Sequence, residues 1–193
     1  NQLVSYLKYA NDTTEFKYEC NRLFKIYYDN EIQMLKSKLS ASSNDVNSEY
    51  VNNRFNIDAN ITKEYTKTVD SNNVVLFTYN PSNDEVIKHI FITSFDYKES
   101  FDIDSIYSST NKLLKNHLIG SSPNSYVALE DRYPLVMYND FYRGLWRLQN
   151  GFMGGSILIK PILNKNKIII ITALVFDPSS KKRKYIKEFE AIL

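Results

Sequence analysis

Arg143-Gly-Leu-Trp-Arg-Leu-Gln-Asn-Gly-Phe-Met-Gly-Gly155 leads into two apolar runs, and these into Asp177-Pro-Ser-Ser-Lys-Lys-Arg-Lys-Tyr-Ile-Lys-Glu-Phe-Glu-Ala-Ile-Leu193. The order is strand, glycine turn, hairpin and closing helix. The hairpin pairs residues 156–163 with 168–176 across Asn164-Lys165-Asn166-Lys167. In the last segment Tyr185, Ile186, Phe189, Ile192 and Leu193 recur at helical spacing, a stripe suited to docking on a sheet. Asp177-Pro178-Ser179 is expected to cap that helix. Gly154 and Gly155 are expected to give permissive backbone at a bend or bulge.

Upstream, residues 126–130 and 135–148 read as strands and 119–125 as a Gly-Ser-Pro loop. A helix is predicted over 104–118, with Ile106, Tyr107, Leu113, Leu114 and His117 at helical spacing. Residues 74–79 and 86–95 are strands, separated by the turn Asn80-Pro81-Ser82-Asn83-Asp84. Ile57, Ala59 and Ile61 alternate with polar residues, a period of two. Asn56 stands where a left-handed helix cap belongs, closing a short helix over 45–54 with Val46 and Tyr50 inward.

A capping box, Asp12-Thr13-Thr14-Glu15, opens one long helix over 13–39. Phe16, Cys20, Leu23, Phe24, Tyr27, Tyr28, Leu35 and Leu39 share its predicted inner face. Residues 3–9 read as a short helix or a frayed end. Helices at the start, middle and end around a mainly antiparallel twisted sheet make an α+β chain. Its parts are a long N-terminal helix, a crossing helix and a C-terminal docking helix. The expected division is a helical segment over 1–44 and a sheet domain over 45–193. The element order is similar to that of the Mog1/PsbP type of small sheet-and-helix domain.

The totals narrow the function. The 24 basic and 22 acidic residues leave a net charge of +2, too small to imply nucleic acid. No basic stripe interleaved with aromatics supplies that signal either. No run approaches the roughly 18 apolar residues of a membrane span. Cys20, the single cysteine, excludes an internal disulfide framework and reads as a small apolar residue of the first helix. The chain opens on Asn1 rather than Met, which points to a missing N-terminal part. No cofactor fingerprint, phosphate-cradling loop or Gly-x-Ser-x-Gly occurs. The two histidines, His89 and His117, lack partners at metal-ligand spacing and read as structural. Glu130 and Asp131 beside Arg132 read as a solvated turn. With no catalytic constellation in view, the chain is expected not to be an enzyme.

Candidate ligand contacts are basic. Strand alternation places Arg143, Leu145 and Arg147 on one face and Trp146 on the other, so the two guanidinium forks could take a carboxylate or phosphate. Lys181, Lys182, Arg183 and Lys184 occupy the expected first turn of the last helix, where the dipole favours acids. Glu188 and Glu190 sit near the end that favours bases, each placement costing ~0.3–1 kcal/mol if exposed. Anionic headgroups, glycan phosphates or an envelope protein would account for the basic run.

Several motifs carry a resemblance. They are Arg143-Gly144-Leu145-Trp146, Phe152-Met153-Gly154-Gly155, Phe176-Asp177-Pro178 and the run from Lys182-Arg183-Lys184-Tyr185 to Glu190-Ala191-Ile192-Leu193. They resemble the C-terminal part of an uncharacterised family of lipoproteins from Bacteroidota, a domain of unknown function. Ser156 stands where that family usually carries Pro, and Asp177 where it usually carries Ala. The resemblance implies a lipid anchor in the missing N-terminal part and a periplasmic or outer-membrane address. In that compartment Asp12-Thr13-Thr14 and Asp104-Ser105-Ile106 look like O-glycosylation acceptors. The expected function is envelope-associated binding or scaffolding without catalysis. The alternatives are an enzyme cleaving envelope glycans through a carboxylate pair, and a subunit of a secretion or assembly complex.

Overall fold

The computed structural model describes residues 4–5, 12–43, 45–96, 102–164 and 166–193. The segment 3–9 and the proposed boundary at residue 44 lie essentially outside them. The described elements run α1 (Thr13–Ser40), α2 (Asp45–Phe55), β1 (Thr66–Ser71), β2 (Val74–Tyr79), β3 (Ile87–Asp96), α3 (Ile103–His117), β4 (Tyr126–Leu129), β5 (Val136–Tyr138), β6 (Phe141–Gln149), β7 (Gly154–Asn164), β8 (Lys167–Phe176) and α4 (Arg183–Ile192). Together they form an α+β fold.

The strands make one antiparallel sheet in the order β1-β2-β3-β8-β7-β6-β4, with β5 also paired to β6. β5 takes the first residues of β6, through Val136↔Arg143, and β4 takes the last, through Leu129↔Trp146. Two apolar layers cover the sheet. One face carries Phe77, Ile90, Ile92, Leu158 and Ala173 under α2 and α4; the other carries Phe91, Trp146, Ile157 and Ile170 under α3. β8 is buried along nearly its whole length, and this double cover is why its sequence is apolar at consecutive positions instead of alternating.

Several expectations change. The segment read as one strand over 135–148 is a hairpin, turned at Asn139 and Asp140 between the paired Tyr138 and Phe141. Asn139 has φ 52°, and Asn56, Asn124 and Asn150 are left-handed too, while no glycine is. Asparagine tolerates that region because its short amide can bond locally, so it serves here where glycine is scarce. β1 escaped the reading because Thr66-Lys-Thr-Val-Asp-Ser71 is polar; charges suit its exposed edge position. Ile57, Ala59 and Ile61 are buried but lie in an unpaired extended segment before the Ser43–Thr62 bridge. In α2 the inward residues are Val51 and Phe55, whereas Val46 is exposed.

The inner face of α1 is also narrower than its spacing suggests. Ile32 is buried, Leu23, Tyr28, Leu35 and Leu39 are half-buried, and Phe16 and Phe24 are exposed. Cys20 is half-buried and free, outside both apolar clusters. The N-cap is the expected Asp12, accepting from Thr14 N at 2.9 Å. At α3 the cap is Asp102, which accepts from Ser105 N at 2.9 Å and from the Ser105 hydroxyl at 2.7 Å.

Gly154 and Gly155 open β7 opposite Arg147 and Trp146, not at a bend. A Cβ on Gly155 would lie 2.0 Å from Val175 O and 3.0 Å from Trp146 Nε1. Glycine there allows the indole to donate to Val175 O at 3.2 Å. Asp177 is not the N-cap of α4; that place is taken by Lys182 without a side-chain bond. Asp177 instead holds the preceding turn, accepting from Ser179 N at 2.9 Å, Ser180 N at 3.1 Å and Tyr185 OH at 2.7 Å.

Two outcomes are expected. Asn139→Val should lower stability by ~1–2 kcal/mol, because a β-branched residue resists positive φ, while Asn139→Gly should be near neutral; thermal melts compare them. The hydroxyl of Ser180 and then that of Tyr185 hold the Asp177 carboxyl well below its usual range. A depressed value means Asp177 stabilises the fold above about pH 4 and loses that contribution as the pH falls through the folded value. The gap in urea midpoint between wild type and Asp177→Asn should therefore shrink from pH 7 towards acid.

Candidate functional site

α4 is held from both sides. Tyr185, Phe189 and Ile192 pack on the sheet, while its other side faces α1, where Lys187 Nζ donates to Glu31 of that helix. Its two C-terminal acids reach the strands. Glu188 accepts from Lys88 Nζ at 2.6 Å, and that buried ammonium stands 4.3 Å from the ring centre of Tyr79, 5.3 Å from Tyr65 and 5.8 Å from Tyr185. Glu190, with its side chain 1% exposed, accepts from Arg143 Nε at 3.0 Å, from Arg143 Nη2 and from Tyr28 OH at 2.5 Å. These bonds explain acids at the helix end that disfavours them: each charge-assisted bond outweighs the macrodipole penalty. Burial, then the bond to Glu190, pushes the Tyr28 phenol well above its usual range, so it stays a donor.

Between α1 and the sheet lies a groove of two lobes. The larger, about 690 Å³, runs beside Lys25, Asp29, Lys36, Asn139, Asp140 and Lys160. The smaller, about 460 Å³, is bounded by Arg143, Ser156, Arg183 and Lys187. Phe24, Tyr28 and Tyr138 line both. Tyr28 meets Tyr138 edge-on with ring centres 5.9 Å apart, and the Arg143 guanidinium lies 3.8 Å from the Tyr138 centroid. Three cations line each lobe, six in all, against the three carboxylates Asp29, Asp140 and Glu190. Lys160 is half-buried; burial, then the nearby Lys36 charge, pushes its ammonium down from the usual value. It donates to Leu193 O at 2.5 Å.

The basic residues singled out from the sequence part company. Arg143 and Arg183 reach the groove. Arg147 shares the strand face with Arg143 but is turned to Glu130 at 3.7 Å and Asp131 at 3.5 Å. Lys181 and Lys182 precede α4 instead of forming its first turn, and Lys182 Nζ donates to Ser180 O. Lys184 stands 4.6 Å from the centre of the Tyr185 ring and 4.0 Å from Asp177. Glu130, read as part of a solvated turn, is buried and takes Arg132 through both oxygens at 2.9 and 2.8 Å. Its carboxyl is lowered to about 2 by that Arg132 bond.

Tyr28, Tyr138, Lys160 and Glu190 were not singled out beforehand as groove residues. Lys160, a charge between Ile159 and Pro161 of an apolar strand, was the one local signal. The histidines come together instead of standing apart: both line a pocket on the α3 side of the sheet. Among the described residues no group of three or more His, Cys, Asp or Glu could hold a metal ion, and no helix is long and apolar enough to cross a membrane.

Residues 43–193 match the family described as Domain of unknown function (DUF4837), and the chain belongs to that family. No curated protein matches the chain. The groove thus joins strands and α4 from the matched residues to α1, which precedes them.

The charged anchor of α4 gives a direct test. Lys88→Met should cost roughly 3 kcal/mol, the low end for breaking a buried pair because Glu188 keeps some water contact. Adding Glu188→Leu should restore most of that stability, measured by urea unfolding of the single and double variants.

Proposed function

We propose that this domain is a non-enzymatic binding module of the bacterial envelope, and that the groove beneath α1 takes an anionic ligand. The carrying observation is the convergence of Lys25, Lys36, Lys160 and Arg183 on a cleft whose walls include Phe24 and Tyr138. Cations supply charge-assisted bonds to phosphate, and aromatic rings supply an apolar platform for a sugar or acyl stem. The ligand class is a phosphate group borne by an envelope glycan or lipid headgroup. Lys181, exposed, and Lys184 extend the basic surface beyond Arg183. The envelope address rests on the sequence resemblance to anchored lipoproteins. Recovery of the native protein in the soluble cytosolic fraction would overturn that address.

A second reading is glycan hydrolysis, favoured by Asp29, Asp140 and Glu190 on one lobe. Both oxygens of Glu190 are already engaged by Arg143 and Tyr28, which leaves Asp29 and Asp140 as the acid–base pair. Release of reducing ends from an envelope glycan, lost in Asp29→Asn with Asp140→Asn, would establish hydrolysis and remove the non-enzymatic reading.

Titration with glucose 1-phosphate, and with glucose as control, tests the binding site by calorimetry. Saturable binding of the phosphate ester is expected, weakening as salt is raised. Replacing Lys36 and Lys160 together by Gln should weaken it about tenfold, ~1.4 kcal/mol. Equal binding of glucose, or an unaffected double variant, would refute the anionic site.

A further inference from the structure

The opposite face of the sheet holds a second cavity, about 200 Å³, which the cation-lined groove does not involve. It opens beside the C-terminal end of α3, where His89 of β3 and His117 of α3 meet Trp146, Met153, Leu174 and Phe176. Most of its wall is aliphatic, from Ile87, Leu118, Val127, Leu148 and Leu174 among others, and two aromatic rings join it: Trp146 and Phe176 have centres 6.5 Å apart, while Phe91 lies 5.9 Å behind His117. Trp146 spends its N–H on Val175 O, so the indole offers its apolar ring surface alone.

The imidazoles are the polar groups of this wall. His89 Nδ1 and Thr78 Oγ1 stand 3.0 Å apart, which fixes that ring and leaves Nε2 without a hydrogen-bond partner among the described residues. His117 makes its ring contact with Phe91, and neither of its nitrogens has a hydrogen-bond partner among the described residues. Burial pushes the His89 imidazole down to about 4, so it is neutral at physiological pH. The neutral His89 ring can donate or accept one bond at Nε2, but it offers no attraction to an anion.

We propose that this cavity binds a small, neutral aromatic molecule that carries one hydrogen-bonding substituent, such as a phenolic hydroxyl, directed at the His117 imidazole. The size agrees: a cavity of about 150 Å³ holds benzene, and a somewhat larger one accommodates a substituted ring. The wall agrees too: Trp146 and Phe176 offer ring surfaces for offset or edge-on contact with a planar aromatic, and the aliphatic side chains complete an apolar lining around it. The polar requirement follows from the unpaired imidazole nitrogens, which an all-apolar occupant would bury without partners.

The chain contains one Trp, so its emission reports on this cavity directly. The full chain is titrated with p-cresol, and separately with toluene, following Trp146 fluorescence with red-edge excitation and binding heat. Saturable binding of p-cresol is expected, tighter than toluene by about tenfold. His117→Phe, which keeps the ring and removes its nitrogens, should erase that preference while toluene still binds. Met153→Phe, which fills space at the wall, should weaken both ligands at least tenfold, with melting curves confirming that each variant folds. A non-saturating emission change, or p-cresol binding that survives both substitutions, overturns the proposal. A cresol preference retained in His117→Phe overturns the assigned hydrogen bond.

Discussion

Two carboxylates near the end of one short helix, Glu190 buried and Glu188 half-buried, hold the rest of the structure in register. Glu188 and Glu190 lie in the C-terminal half of α4, towards the end where carbonyl dipoles disfavour acids, and each is drawn inward by a cation of the sheet. Lys88 comes from β3 and Arg143 from β6, with β8 and β7 between those strands. One helix therefore spans four strands through paired charge as well as through Phe189. Burying a large aromatic stabilises by roughly 1.5–3 kcal/mol and tolerates rotation of the helix on its bed. Charge pairs do not tolerate it: a displaced partner leaves an uncompensated ion in a low-dielectric setting.

The same constraint shapes the groove. Because Arg143 bonds to Glu190, its guanidinium is held over the Tyr138 ring, and Tyr138 in turn meets Tyr28 edge-on. The tip of the β5–β6 hairpin is thereby brought under α1. Tyr28 completes the set by donating to the same Glu190 carboxylate. Arg143, Tyr28 and Glu190 thus satisfy one another at the wall of the cleft. Among the described residues the side chains of Lys25, Lys36 and Arg183, which also line it, make no hydrogen bond or ion pair. Across the sheet the polarity reverses: the cavity beside α3 is lined by aliphatic side chains with Trp146, Met153 and Phe176, and imidazole is its polar part.

The elements legible beforehand were those with a local physical signature. Asp12 stops the chain before a helix because its carboxylate meets a free amide two residues on. Asn56 ends another by accepting a left-handed backbone. β2 and β8 announce themselves by apolar runs of strand length. β1 lacked such a run, and the Asn139 turn hid within residues that look uniformly strand-forming. The inner face of α1 was overdrawn because Phe16 and Phe24 fit the helical period, although the residues that α4 covers begin further along.

The sequence by itself determined the class of fold, the existence and order of the four helices, the core side of Trp146 and membership of a basic set by Arg143 and Arg183. Those are properties of spacing, and spacing is carried by neighbours a few residues apart. Only the tertiary structure decided which charges are spent and which remain free. Arg143 and Glu190 are separated by 47 residues and Tyr28 and Glu190 by 162, distances over which no period survives. The meeting of His89 with His117 has the same origin. Strand pairing and helix docking bring them to one cavity, and the desolvation that lowers the His89 imidazole exists only after the sheet is covered.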